Sequence, residues 1–411
     1  MNKIWFIMRF ASLNIKLLIK AMSKSSSVRL GGENLNSIPV NQENLFPEAV
    51  EYIPNQQKFL LTSLTEGTIN ALDEQGNLTP FAEDERLVST IGIEIDEKQN
   101  RVLATNSDLG VSDSTSPETQ NNLAALGIFD LTTGETIDYV DLGGLRPGEP
   151  HLANDVAVDN FGNAYVTDSL SPIIYKVDTE GNPSVFLENE QFAGEGFNLN
   201  GIAAHQDFLL VADSNDGEIF KVPLDNPEEF TQVEIDRELL NADGLLLADE
   251  DELVVVTNDG SEESSNSVFV LESDDNWESA QITDELAIEG EFTTAATTKD
   301  EQLLVLDAGL DNLFSNQLPF DDFRILEVGS IDNRNSFNLQ DFANDLNLEQ
   351  TLNNLDLLSN VEDTDMFADL FSINFGASSD SENSQDIIDG INKSLSEVKS
   401  FIIEESDNII S

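Results

Sequence analysis

The sequence predicts an all-β fold, a six-bladed β-propeller, and three observations lead there. A pair of short apolar runs joined by a polar turn recurs six times. The polar residues that end the second run of later pairs, Asp168, Asp213, Asn258 and Asp307, stand 45, 45 and 49 residues apart. Between the pairs lie further alternating segments, so a unit of about 45 residues holds four strands, as a propeller blade does.

In chain order the pairs are "AVEYIPNQQKFLLTSL", "IGIEIDEKQNRVLATNSD", "DVAVDNFGNAYVTDS", "GIAAHQDFLLVADS", "GLLLADEDELVVVTND" and "TAATTKDEQLLVLDAG". Each joins its runs through Asp, Asn, Gly, Glu, Gln or Lys, the composition of a turn between antiparallel strands. The second pair ends at Asn106, and its blade is lengthened by the Ser- and Thr-rich loop "VSDSTSPETQNN". "PIIYKVDTEGNPSVFLE" supplies outer strands to the third blade and "GEIFKVPLDNPEEFTQVEI" to the fourth. "RILEVGS" reads as the closing strand, so the propeller fills residues 40–330.

Residues 1–39 read as an N-terminal extension outside the fold, with Lys3, Arg9, Lys16, Lys20, Lys24 and Arg29 among Trp5, Phe6, Leu17 and Leu18 and no acid in the first thirty residues. A secretory signal requires about 7–15 uninterrupted apolar residues, and Arg9 and Lys16 break this stretch. Met22 is an alternative start, and the compartment stays open between cytoplasm and export. No run approaches the roughly 20 apolar residues of a membrane span. Residues 331–411 read as an acidic tail, disordered in part by composition. Leu352, Leu355 and Leu358, or Ile387, Ile391 and Leu395, fit short amphipathic helices there.

The 411 residues carry 79 acidic and 19 basic side chains, a formal charge of -60. Phosphate would be repelled, which excludes nucleic acid and an anionic membrane as partners and makes a cation the natural guest. With no cysteine there is no disulfide, thiolate zinc site or cysteine nucleophile. The two histidines, His151 and His205, leave little room for a histidine metal site. Oligomeric state is not legible from composition.

The innermost strand of each blade runs beside the channel, so residues just before equivalent strands converge near the axis on one face. Aligning the pairs places Glu48, Ile91, Asn154, Asn200, Asp243 and Thr293 at that threshold. Glu48, Asn154, Asn200 and Asp243 make an oxygen-only set suited to a hard divalent cation, calcium first, with magnesium, manganese or zinc admissible. Any one of them alone could merely shape its own turn; their shared register across four blades favours a common ligand. Asp155 and Asp168 lie near the same face and stand behind that set or hold another ion. His151, three residues before Asn154, could line the mouth as a proton shuttle. His205 reads as a turn residue, and Phe192 and Phe197 as packing or as an apolar wall for substrate.

"PEAV" at 47–50, "ANDVAVDNFGNAYVTDS", "LNGI" at 199–202 and "ADGL" at 242–245 resemble the signature positions of the SMP-30/gluconolactonase/LRE-like family, and more distantly the paraoxonases, over about residues 40–330. The resemblance implies a six-bladed propeller with a divalent cation at the channel mouth that hydrolyses a small-molecule lactone or related ester. Position by position, it implies that Glu48, Asn154, Asn200 and Asp243 ligate the cation and that Asp243 is also the general base. Where many relatives read Pro-Glu-Gly-Pro, this chain has Pro47, Glu48, Ala49 and Val50. The arginine with which sugar-lactone members grip hydroxyls has no counterpart here. A reading of another class is a non-catalytic, calcium-stabilised propeller that binds a protein or glycan partner. Strictosidine-synthase-like propellers without a catalytic metal generally do not keep this oxygen set.

Overall fold

A computed structural model describes residues 27–31, 35–258, 266–288 and 292–331. The basic start, and the tail from 332 with its expected helices, lie outside the described residues. The chain enters through two short strands, β1 (Val28–Leu30) and β2 (Ser37–Val40). Five four-stranded antiparallel sheets follow. The first holds β3 (Val50–Ile53), β4 (Lys58–Leu61), β5 (Ile69–Leu72) and β6 (Leu78–Ala82). The second holds β7 (Ser89–Asp96), β8 (Arg101–Ser107), β9 (Ala124–Asp130) and β10 (Thr136–Asp141). The third holds β11 (Ala153–Val158), β12 (Ala164–Asp168), β13 (Ile173–Val177) and β14 (Pro183–Glu188). The fourth holds β15 (Leu199–Ala204), β16 (Phe208–Asp213), β17 (Glu218–Pro223) and β18 (Thr231–Gln232). The fifth holds β19 (Ala242–Asp249), β20 (Glu252–Thr257), β21 (Ser267–Glu272) and β22 (Gln281–Ala287).

The sixth sheet is built from both ends of the described chain. β23 (Thr293–Lys299), β24 (Gln302–Asp307) and β25 (Phe323–Ile331) run outward from the axis. β2 then pairs with the first half of β25, Val40 opposite Phe323, and β1 with the second, Val28 opposite Ile331. The innermost strands pack against one another in turn, β3 against both β7 and β23, which closes a ring of six blades. The six-bladed all-β architecture is the one expected. The boundary at residue 39 differs, because Val28–Leu30 and Ser37–Val40 belong to the sixth sheet.

The apolar runs that mark each blade follow from packing on both faces. Side chains alternate across a strand, and β20 shows the outcome: Leu253 and Val255 join a cluster with the fourth blade, while Val254 and Val256 join one with the sixth. All four are fully buried. A blade in the wheel has no wet face along its second strand, as β8, β12, β16 and β20 show, so an uninterrupted apolar run replaces the usual alternation. Six such clusters fill the six junctions between neighbouring blades.

The turns at the far end of the blades reuse one device. In "DEQGN", "DNFGN" and "DTEGN" the aspartates Asp73, Asp159 and Asp178 each accept from the backbone N–H two and four residues on. The glycines of these turns hold φ between 81° and 88°, where a side chain would be strained.

Candidate metal centre

The threshold residues sit in a β-bulge, the feature that lets a polar side chain interrupt a buried strand. In the third blade Ala153 pairs with Asp168 and Val156 with Val166, so Asn154 and Asp155 together face Thr167. The same irregularity falls at Ile91–Gly92, Asn200–Gly201, Asp243–Gly244 and Thr294–Ala295. Glu48 and Ala49 match it in the first blade, both backbone N–H groups donating to Thr62 Oγ1 at 3.2 and 2.9 Å. A bulge bends the strand and re-aims one side chain, and the five bulges fall at one register around the wheel. The register corrects the alignment in one place: Thr294, not Thr293, is the sixth-blade member.

The second bulge position explains "IGI", "NGI" and "DGL". A Cβ on Gly201 would lie 2.0 Å from the Asp243 carbonyl oxygen, and one on Gly244 2.6 Å from that of Thr294. Neighbouring inner strands touch there through backbone, so glycine is required by close approach rather than by a turn. Asp155 takes this position in the third blade and spans the junction, its Oδ2 accepting from Ile202 N at 3.1 Å. Hydroxyls rivet the blades together: Thr105 donates to the Asn154 carbonyl and Thr167 to that of Asn200, both at 2.6 Å.

Glu48 and Asp155 are half-buried in the wheel. Asn154, Asn200 and Asp243 are 7, 8 and 6 % exposed. Burial pushes the Asp243 carboxyl up to about 8, the Asp155 charge adds to the shift, and hydrogen bonds from Asn200 and Asn258 oppose it. Glu48 is raised well above the usual carboxylate range by burial and then by the charges of Asp243 and Asp155. Asp155 is pushed up to about 7 by burial, against the backbone N–H groups of Ile202 and Val156. Asn154 donates through Nδ2 to Ser169 Oγ at 2.8 Å, which ties down one end of its amide. Among the described residues no three His, Asp or Glu side chains gather closely enough to hold a metal by themselves. The threshold positions carry two carboxylates, two amides and a hydroxyl.

These shifts set a sign for pH dependence. An aspartate free in an unfolded chain titrates near about 3.9, whereas folded Asp243 titrates at about 8. Its contribution to stability is therefore full below the lower value and is lost as pH rises toward the higher one. In chelator, the wild type should lose more thermal stability than Asp243→Asn between about pH 5 and pH 8. Equal losses in paired melting curves would contradict the crowding.

Two expected neighbours serve the scaffold instead. His151, 2 % exposed, hydrogen-bonds through Nδ1 to Asp168 Oδ2 at 2.8 Å and through Nε2 to the Arg146 carbonyl at 2.9 Å. With an acceptor at each nitrogen the ring suits the doubly protonated form. Burial opposes that charge, but the Asp168 and Arg146 bonds outweigh it and raise its pKa. Asp168 also accepts from Tyr175 and from the backbone N–H of Leu152, Leu170 and Ser171. The pair clamps the loop leading into Asn154 and leaves no imidazole nitrogen to shuttle protons at the mouth. His205 stacks on Phe208 at 4.1 Å in a hairpin turn at the far end, and Phe192 packs between Phe220 and Phe230. Phe197 stays 43 % exposed.

Sequence reasoning passed over a second tier of acid deeper in the channel. Three residues along the inner strands, Glu51 and Glu94 occupy matching positions in the first two blades. Glu51 is pushed up to about 8 by burial and by Asp155, and accepts from Thr297 Oγ1 at 3.2 Å. Glu94 is raised by burial, then by Glu51, Asp155 and Asp96. An acid inside "VEYI" or "IGIEID" was the available signal.

No protein-family model matches the chain, and no curated protein matches it in sequence. Solved structures do. The major Malassezia sympodialis allergen Mala s 1 is 18 % identical, covering 74 % of this chain and 98 % of its own, with a TM-score of 0.56. A gluconolactonase-like protein is 14 % identical over 74 % of this chain and 98 % of its own, TM-score 0.50. A luciferin-regenerating enzyme is 14 % identical over 71 % and 95 %, TM-score 0.50. The last two are six-bladed propellers of the SMP-30/gluconolactonase/LRE-like kind, and this chain shares their fold. At these identities the likeness concerns the fold. Among the described residues no helix is long and apolar enough to cross a membrane.

Proposed function

We propose that the chain is a metal-dependent hydrolase of lactones or related esters, with Glu48, Asn154, Asn200 and Asp243 holding a divalent cation, calcium by preference. What supports this reading is that bulges hold Asn154, Asn200 and Asp243 at one register in three successive blades, that Asn200 hydrogen-bonds Asp243, and that the charges of Asp243 and Asp155 raise the pKa of Glu48. Crowded anions are costly unless a positive charge compensates them. The donor set, carboxylate and amide oxygen with no nitrogen or sulfur, fits calcium chemistry.

A cation in this ring would polarise a substrate carbonyl and lower the pKa of a water beside it. Asp243 accepts the proton from the attacking water. Asn200 and Asn258 both hydrogen-bond its carboxylate and fix its direction. The hydroxyl-to-carbonyl rivets at Asn154 and Asn200 hold the backbone of the ring still, so little reorganisation accompanies the reaction. No serine or cysteine nucleophile is needed. His151 and Asp168 act at a distance, by fixing the loop before Asn154.

The test is a panel of aryl esters and γ- and δ-lactones, assayed with chelator and after return of each cation. Chelator-sensitive turnover restored by calcium is expected. If no substrate turns over in calcium, magnesium, manganese or zinc while chelation lowers the melting temperature, the non-catalytic propeller with a protein or glycan partner takes its place.

A further inference from the structure

We infer that Thr294 is the sixth blade's contribution to the cation ring, supplying a hydroxyl oxygen to the ion or to a water upon it. The inference deepens the proposed function and rests on it. Its first support is position. Thr293 pairs with Asp307 and Ala296 with Val305, so Thr294 occupies the bulge place held by Asn154, Asn200 and Asp243 in the preceding blades. Contact agrees, since a Cβ on Gly244, next to Asp243, would lie 2.6 Å from the Thr294 carbonyl oxygen.

The second support is independent of the pattern. Thr294 is 1 % exposed, and its Oγ1 is buried with no hydrogen-bond partner among the described residues. Two other hydroxyls of the strand are used: Thr293 Oγ1 donates to the Thr257 carbonyl at 3.1 Å, and Thr297 Oγ1 to Glu51 at 3.2 Å. A buried hydroxyl left unpaired opposes folding, and valine, of the same shape, would remove the penalty. A hydroxyl oxygen is a hard donor of the kind calcium takes, alone or through water. With Thr294, five of the six ring positions offer oxygen, and only Ile91 is apolar.

A ligand role and a scaffold role give opposite signs. Thr294→Val and Thr294→Ser of the full chain would be stripped of metal, melted in chelator, and titrated calorimetrically with calcium, magnesium, manganese and zinc in turn. Thr294→Val should melt at the wild-type temperature or about 2 °C above it, and should bind calcium about tenfold more weakly. Thr294→Ser should bind as the wild type does. If valine is not accommodated, Thr294→Ala carries the same affinity comparison against serine. Wild-type affinity in the valine or alanine variant overturns the role of Thr294 alone. So does a valine variant that melts lower in chelator while serine does not, because the hydroxyl then serves the scaffold. A wild type that binds none of the four ions overturns the proposed function and this inference together.

Discussion

Asp243→Asn is expected to lower kcat on a hydrolysed lactone or ester by about a hundred- to ten-thousandfold, the range spanned by removal of a general base. The exchange keeps shape and one oxygen. In the proposed ring Asn154 and Asn200 offer amide oxygen, so an amide at 243 would leave an oxygen for the cation and remove the basic group. The cost to the scaffold is local: Asn258 and Asn200 donate to the present carboxylate, and one of those bonds meets an NH₂ group instead. The decisive measurement sets turnover beside calorimetric calcium binding and a melting curve. Turnover lost with the ion still bound and the fold intact supports the assignment, and undiminished turnover rejects it.

Removing residues 1–40 should have the largest effect on stability, because it takes away β1 and β2 and exposes the edge of β25. Val28 and Val40, 7 and 1 % exposed, leave the clusters at the two junctions of the sixth blade. The main-chain pairs from Val28 to Leu30 and from Ser37 to Val40 go with them. Lost apolar burial and ladder bonds together are worth about 5 kcal/mol, a fall of about 10–20 °C in Tm for a domain of this size. A bare strand edge also invites association between molecules. A chain starting at Met22 keeps both strands and should melt with the full-length protein. Scanning calorimetry of the three chains, with light scattering to follow association, checks both expectations; an unchanged Tm after removal of 1–40 would show that the two strands do not close the ring.

Much of the wheel was legible because a blade buried on both faces writes itself as apolar runs at a fixed spacing, as "LVVV" does in β20. The proposed ring rests on the converse pattern: Asn154, Asn200 and Asp243 stand where such a run should already have begun. The bulge was not legible, since an extra residue leaves no mark in composition, and the sixth-blade alignment therefore fell on Thr293 instead of Thr294. Likewise, Asp168 was visible as a polar strand end, but its partner His151 lies 17 residues earlier and its other partners are backbone N–H groups. β1 and β2 are three and four residues long, and Pro39 breaks what little pattern they have. Their identity as strands comes entirely from β25, some 290 residues away.

That distance has a consequence for how the molecule is made. Because its first threads are sewn to its last, the wheel cannot shut while a ribosome is still adding the sixth blade, and the earlier blades must wait in an open arc. Glu48 lies just past this seam on one side and Thr294 just before it on the other. An ion gripping both would act as a clasp, favouring the shut state by mass action and tying the lifetime of the finished wheel to the supply of cation around it.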